Sequence, residues 1–441
     1  MEYSTKVKSP SKTKCRMCHG DTFELAQIKS RDEKPDLDLV QCKDCGTITY
    51  EGDDPVFGYT SDKFIHEYWI HYAQCGAGIS SMAEPLHQAN CAGSFLDVGC
   101  GFGFMVDYWQ TTTGASSDGM ELSKYGHIGK EKLNITIHHA LLGECPEVDN
   151  RYFDIVYASE VIEHVTDPKA FVMALKERLA PGGRVVLTTP SSNAVTDSEV
   201  NDTTRIAALS PYFHYFIASR KSLEDLLKAA GFAHVIVQDS GTRLFAWASD
   251  EPIELQPDYS FNWDVYLDYL DKLSQNPDRH IRSGALYRRF KDMWNLGKHE
   301  QARECFARFE QVCADEYQID LRSFTIPSDI SSFTSDSYDT HPAWLPMSLY
   351  MGAQIIEKYE KDSFTPLKML INSYELGQMH LSNQNFRQFS QEIEHFLPVI
   401  KIRLHETLKL KAAEIEPPKE YDEPEPDFFG RIVKHLKESL S

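Results

Sequence analysis

From about residue 255 onward, apolar positions recur at helical spacing. In DVYLDYLDKL (264–273), Val265, Leu267, Tyr269, Leu270 and Leu273 gather mainly on one stripe. Residues 283–312 predict a helix, a turn at Leu296-Gly297 and a second helix presenting Ala302, Phe306 and Phe309. A weaker echo of that hairpin runs over 371–397, and 326–345 reads as a long loop. EIEPPKEYDEPEPD (414–427) is acidic and proline-rich, hence an extended linker. Beyond it, Phe428, Phe429, Ile432, Val433, Leu436 and Leu440 share one face, opposite Arg431, Lys434 and Lys437. That pattern predicts a basic amphipathic helix, which either caps its own domain or docks on a protein partner or a membrane surface. The first half of the chain has a shorter period. FELAQI, LDLVQC and GTITY are strand-like, and SFLDV (94–98) reads as a buried strand followed by Gly99-Cys100-Gly101-Phe102-Gly103 and a helix, FMVDYWQ. Segment 56–88 is dense in Phe, Tyr, Trp and His, as either a covering element or a helix docked on a sheet.

Composition narrows the function. The chain has 441 residues, 41% hydrophobic and 12% aromatic, enough for two or three globular domains. Its formal net charge of −21 argues against general nucleic-acid binding, which needs clustered Lys and Arg. No apolar run approaches the ~18 residues of a membrane-spanning helix. The opening MEYSTKVKSPSKTK lacks the apolar stretch of a signal peptide, so a cytoplasmic protein with reduced cysteines is expected, its tail able to reach the inner membrane.

Cys15-Arg16-Met17-Cys18 and Cys42-Lys43-Asp44-Cys45 form two CxxC knuckles. Four thiolates on two tight turns can close a tetrahedral Zn²⁺ site, and the strand-like pieces between and after them give the arrangement of a zinc ribbon. Cys15, Cys18 and His19 also spell a c-type haem signature, but that reading needs export and leaves Cys42 and Cys45 unexplained. Four cysteine ligands leave no open position, so Cys15, Cys18, Cys42 and Cys45 point to a structural ion.

The glycine loop after SFLDV is neither a dinucleotide fingerprint nor a Walker-A loop. Its third glycine comes one residue early, and no Gly-Lys-Ser/Thr follows. Asp97 near the strand end would repel a pyrophosphate but suits a cationic ligand such as S-adenosylmethionine (SAM), whose amino-acid end carries an ammonium beside a sulfonium.

Over about residues 91–249 the sequence resembles the class I SAM-dependent methyltransferases. DVGCGFG looks like their first motif, and GMELS (119–123) like the end of their second strand. FDIVYASEVIEHV (153–165) looks like the fourth strand, LAPGGRVVLTTP (179–190) the turn into the fifth, SLEDLLKAAGFAHVIV (222–237) the last helix and sixth strand, and RLFAWAS (243–249) the antiparallel seventh. The resemblance implies a cofactor site of Asp97, Gly99, Cys100, Gly101, Glu121, Leu122, Ala140, Leu141 and Ser159, with Glu121 on the ribose hydroxyls. Two departures stand out. The second strand, ASSDGM, is unusually polar. The acidic residue many relatives place after the third strand is missing, with Ala140 or Leu141 in its stead.

Methyl transfer is an in-line displacement, so the enzyme mainly orients the nucleophile and excludes water. An oxygen nucleophile usually calls for a base, and His serves near neutral pH. His214, His164 and Tyr212 are the candidates. The whole chain then reads as an α/β protein, with a Rossmann-like methyltransferase sheet, an N-terminal zinc ribbon and a C-terminal all-helical domain. The 283–312 hairpin resembles a tetratricopeptide repeat, with an irregular bundle as the alternative. The expected divisions are ribbon 1–52, aromatic connector 53–90, methyltransferase 91–249, helical domain 250–412, linker 413–427 and tail helix 428–441. The order of ribbon, aromatic segment and SAM core resembles bacterial nucleotide-sugar and surface-polysaccharide methyltransferases. The Leu-Gly-x-x-Pro-Leu-Ala-Asn turn of their carbon-methylating branch does not stand between these knuckles. The resemblance implies O-methylation of a sugar nucleotide or glycan acceptor. The alternatives are C-methylation of a keto-sugar, methylation of a polyketide, lipid or quinone-like molecule, and a non-catalytic assembly factor with a vestigial SAM fold.

Overall fold

The computed structural model describes residues 1–30, 34–52, 65–76, 78–257, 259–327, 335–360, 364–383 and 391–415. The expected tail helix 428–441 and residues 416–427 of the expected linker lie outside the described residues. The chain divides into two compact units, Met1–Ile65 with Gly78–Tyr266, and His66–Ala77 with Leu267–Ser441.

The first unit opens with β1 (Glu2–Thr5), β2 (Pro10–Lys14), β3 (Asp21–Lys29), β4 (Leu37–Cys42) and β5 (Ile48–Tyr50). They form an antiparallel sheet in the order β1-β3-β4-β5, with β2 on β3. Leu25, Ile28, Leu39, Ile48 and Tyr50 bury one face. This sheet is not self-contained. It takes a further strand from residues 216–217 and shares its core with Val195, Leu209, Tyr212 and Ile217.

Helix α1 (Ile65–Cys75) belongs, from His66 on, to the second unit, and α2 (Ile79–Gln88) to the first. The expected connector 53–90 is therefore divided between the two units. Helix α2 lies on the larger sheet, where Tyr157 Oη donates to Met82 O (3.0 Å) and Trp247 Nε1 to Pro85 O (2.8 Å).

Next come β6 (Phe95–Val98), α3 (Phe104–Thr113), β7 (Ser117–Met120), α4 (Lys124–Leu133), β8 (Ile137–His138), α5 (Pro146–Asp149), β9 (Phe153–Ser159), α6 (Pro168–Lys176) and β10 (Leu179–Pro190). After α7 (Asn193–Thr196) and α8 (Asp202–Leu209), β11 (Phe216–Ile217) pairs with β5. Helix α9 (Arg220–Ala229), β12 (His234–Asp239) and β13 (Arg243–Ser249) complete the sheet, ordered β12-β13-β10-β9-β6-β7-β8. Its β6–β10 pairings are parallel, and β13 runs antiparallel to both neighbours. The order turns back at β6, which puts a ligand crevice at the strands' carboxyl ends. The polar β7 is wholly buried, and its charge is matched. Asp118 accepts from both Arg151 terminal nitrogens (2.9 and 2.8 Å) and lies 2.9 Å from His138 Nε2.

Helix α10 (Trp263–Leu273) leads into the second unit. There α11 (Arg279–Asn295) and α12 (His299–Tyr317) form the expected hairpin about Leu296-Gly297. Gly284 lies so close to the Ala73 carbonyl of α1 that a β-carbon would collide with it. Helices α13 (Leu345–Tyr359) and α14 (Thr365–Ser382) pack on each other, and α15 (Gln391–Ile415) packs on α14. The expected echo at 371–397 is thus the end of α14 and the start of α15, with residues 384–390 outside the described residues. Helix α15 also runs past the expected boundary at 412. Among the described residues, no helix is long and apolar enough to cross a membrane.

Among the described glycines of the first unit, Gly129 of α4 has the least room for a side chain, against the glycine loop. A β-carbon on Gly129 would fall onto the Phe102 backbone carbonyl, which has no flexible end to yield. Gly129→Ala should therefore lower stability by about 1–3 kcal/mol, an overpacking cost, measured by chemical denaturation.

Candidate active site

Strand β6 is buried on all four residues and ends in a loop that turns back on β7. Gly99 and Cys100 both donate backbone N–H groups to Met120 O (2.8 and 3.0 Å). Glu121 takes the next pair, accepting from Gly101 N (2.9 Å) and Ser123 N (2.7 Å). Gly99 and Gly101 sit at φ 77° and 56°, a region that penalises side chains. Their surroundings differ. A β-carbon on Gly99 would strike Val161 Cγ2 at 2.6 Å, whereas Gly101 has nothing within 4 Å of that position. The loop is therefore packed on one side and open on the other.

Asp97 is only 4% exposed. Burial, with the nearby Glu121 charge second, pushes its carboxyl up to about 8. A buried acid beside a second acid is costly to ionise until a cation arrives. Cys100 is turned the other way, its sulfur against Gly119, and burial pushes its thiol up. Leu122 and Leu141 are exposed (46% and 50%) just past β7 and β8, and Ala140 is half-buried beside them. Ala140 also lines a cavity of about 300 Å³ with Gly126, His127, Lys130 and His139; this cavity includes no glycine-loop residue. Ser159, at the end of β9, shares a 2.7 Å hydrogen bond with Thr188 on β10.

The second half of the site follows β9. Glu160 has a positive φ of 56°, and its carboxylate accepts from Thr188 Oγ1 (2.9 Å) and faces Arg243 Nε (3.3 Å). A short turn, Ile162–His164, then meets the segment between α8 and β11. Glu163 is fully buried. One oxygen accepts from Thr189 Oγ1 (2.9 Å), and the other has no hydrogen-bond partner and lies 3.9 Å from His214 Nε2. His164 Nδ1 lies 3.0 Å from Phe213 O, His214 Nδ1 lies 3.0 Å from Ala208 O, and the two rings meet edge to face at 4.6 Å. Burial, and secondly the His164 charge, lowers His214 to about 3, so its imidazole is neutral.

His164 and His214 are thus brought together, and Tyr212 is not. Its backbone adopts φ 73°, which sends the side chain into the N-terminal sheet, where Oη donates to Pro35 O (2.6 Å). Glu163 takes the place beside the histidines instead. The sequence carried that signal only as one acid in SEVIEHV.

At the N-terminal turns, Sγ of Cys15 lies 3.5 Å from that of Cys45, and Cys18 Sγ lies 3.4 Å from both Cys42 and Cys45. Four sulfurs at about 2.3 Å from one ion would stand about 3.8 Å apart, so a slight expansion admits tetrahedral Zn²⁺. These turns also touch the site segment. Arg16 stacks on the Tyr215 ring (5.0 Å), and Ser219 Oγ donates to Cys45 O.

Residues 68–237 match a family described as a methyltransferase domain. A ubiquinone biosynthesis O-methyltransferase of Aromatoleum aromaticum is 28% identical over 159 residues, 32% of this chain and 64% of the relative. A probable S-adenosylmethionine-dependent methyltransferase of Mycolicibacterium smegmatis is 33% identical over 147 residues, 32% of this chain and 53% of the relative. The chain thus spans under two thirds of these relatives. A solved SAM-dependent methyltransferase of Thermotoga maritima, possibly acting on histamine, is 16% identical with a TM-score of 0.34, covering 43% of this chain and 97% of that one. The strand order of the sheet, the glycine loop cradled by β7 and the match over 68–237 agree on a SAM-dependent methyltransferase domain in this part of the chain.

Proposed function

We propose that this protein transfers a methyl group from SAM to a hydroxyl oxygen of a small acceptor, with a sugar nucleotide or glycan as the first choice. The observation that carries the reading is the open Gly101 position in a loop that follows buried Asp97 and is held by the Glu121 carboxylate. Bound there, SAM supplies a methyl carbon already activated by its sulfonium. Asp97 offers a carboxylate to the ammonium end. Glu121 spends one lone pair of each oxygen on the loop backbone and keeps acceptor capacity for ribose hydroxyls. Leu122, Ala140 and Leu141 offer apolar contact to adenine. The neutral imidazoles of His164 and His214 suit the acceptor side. The glycan choice rests on the four-cysteine sheet preceding the SAM core. A quinone-like phenol is the second reading, favoured by the printed names of the ubiquinone-pathway relatives. Supplying the acceptors of both classes with methyl-labelled SAM separates the two readings.

We further propose that Cys15, Cys18, Cys42 and Cys45 hold one structural Zn²⁺. Elemental analysis should find about one zinc per chain, following from the single four-cysteine set. Cys42→Ser should lose it and open residues 1–50 to protease; a variant retaining full zinc would overturn the assignment.

For the cofactor, Glu121→Ala should weaken SAM binding by about 1–3 kcal/mol in calorimetry, the cost of losing hydrogen bonds to a charged group. Unchanged affinity in a folded variant would refute the ribose role.

Asp97 gives a pH dependence. Below about 8 its carboxyl holds a proton, and a bound cation favours the carboxylate, so binding must expel that proton. SAM affinity should fall as pH drops from about 8.5 to 6.5, by up to about tenfold per unit. Calorimetry in buffers of different ionisation enthalpy would register the released proton. An affinity flat across that range would show that Asp97 is ionised before binding.

A further inference from the structure

The buried corner formed by Glu163, His164 and His214 is short of a positive charge. Glu163 is 0% exposed, and one of its oxygens has no hydrogen-bond partner. Leaving a carboxylate oxygen unpaired in the interior is expensive. Its other oxygen accepts from Thr189 Oγ1, and burial outweighs that support. Glu160, three residues earlier, adds a second carboxylate, and Arg243 lies against Glu160.

Both imidazoles are held by backbone carbonyls. Each places Nδ1 at 3.0 Å from a backbone carbonyl, of Phe213 and of Ala208. A carbonyl can only accept, so Nδ1 carries the proton and Nε2 keeps the lone pair in both rings. Metal-binding histidines are commonly held in this way, the ring nitrogen away from the metal donating to a carbonyl or carboxylate. The candidate ligand atoms of Glu163, His164 and His214 all lie within 4.8 Å of one another, and His214 Nε2 is 3.9 Å from the orphaned Glu163 oxygen. Two ligands each about 2.1 Å from one ion can stand at most about 4.2 Å apart, so closure needs only a small side-chain adjustment.

We propose that Glu163, His164 and His214 bind a divalent first-row transition cation through two imidazole nitrogens and one carboxylate oxygen. Mixed nitrogen and oxygen donors suit manganese, iron, cobalt or zinc over calcium, which takes oxygen ligands. Three protein ligands leave positions for oxygen ligands, from water or from the acceptor. That last role rests on the O-methyl-transfer reading; ion binding itself does not.

The test uses the full chain with its cysteine site left as purified. Mn²⁺ is the probe because thiolates are poor ligands for it, which keeps the N-terminal turns out of the measurement. Loss of the free Mn²⁺ paramagnetic resonance signal should report about one bound ion per chain. Glu163→Gln preserves shape and removes the charge, and His164→Ala alters a partly exposed position that should fold; each should weaken Mn²⁺ by at least about tenfold. SAM affinity, measured separately by calorimetry, should persist in both. Failure of the wild type to take up Mn²⁺, or wild-type Mn²⁺ affinity in both variants, would overturn the site. Mn²⁺ binding without SAM binding would uphold the site and overturn the methyltransferase reading.

Discussion

The pairing of Phe216–Ile217 with Ile48–Thr49 is the constraint on which the first unit depends. A two-residue strand brings few backbone hydrogen bonds, each worth about 1 kcal/mol net. Burying Leu209, Tyr212, Phe216 and Ile217 contributes more, about 1.5–3 kcal/mol for each large apolar side chain. Side-chain burial therefore holds the segment, and the strand sets its register. His214 lies two residues before that strand, and the carbonyls that orient both imidazoles belong to the same stretch. The four-cysteine turns, through Arg16 and Ser219, brace it from the other side.

Electrostatics gives the carboxyl edge of the large sheet its character. Asp97, Glu121, Glu160 and Glu163 all gather there, in a chain that is acidic overall. Arg243 answers one of them. In the framework, by contrast, the Arg151 guanidinium neutralises buried Asp118, and His138 Nε2 lies 2.9 Å from the same carboxylate. The contrast is local and chemical: Asp118 in the framework is paired, whereas Asp97 and Glu163 at the crevice are held back from easy ionisation by burial and by a neighbouring acid. Such an edge favours cationic groups such as the ammonium and sulfonium of SAM.

The large sheet was legible because its strands are apolar runs bounded by glycine, proline or charge. SFLDV and RLFAWAS fall on β6 and β13 almost residue for residue. The polar β7 is not legible from hydropathy, since its burial depends on Arg151 and His138, which lie outside the strand. Membership of α1 is equally hidden: the absent side chain of Gly284 lets α1 dock, and that is a contact between distant residues. At the site, the glycine loop and Glu121 could be read from spacing. Tyr212 misled because PYFHYF gives no sign that one residue in it takes a positive φ and turns away. Glu163 was overlooked because an acid after a strand ordinarily reads as solvated.

The shared strand also has a consequence for how the molecule is made. Strand β5 ends at Tyr50 and β11 begins at Phe216, so about 165 residues must be synthesised before the N-terminal sheet can close. At ribosomal speeds that takes roughly 8–33 seconds. Throughout that interval the outer edge of β5 lacks its neighbour, and an unpaired edge is a template for another chain. On a crowded polysome, identical nascent chains would offer each other the same edge at the same stage. The vulnerable moment of this fold thus comes during translation, and it passes when residue 217 emerges.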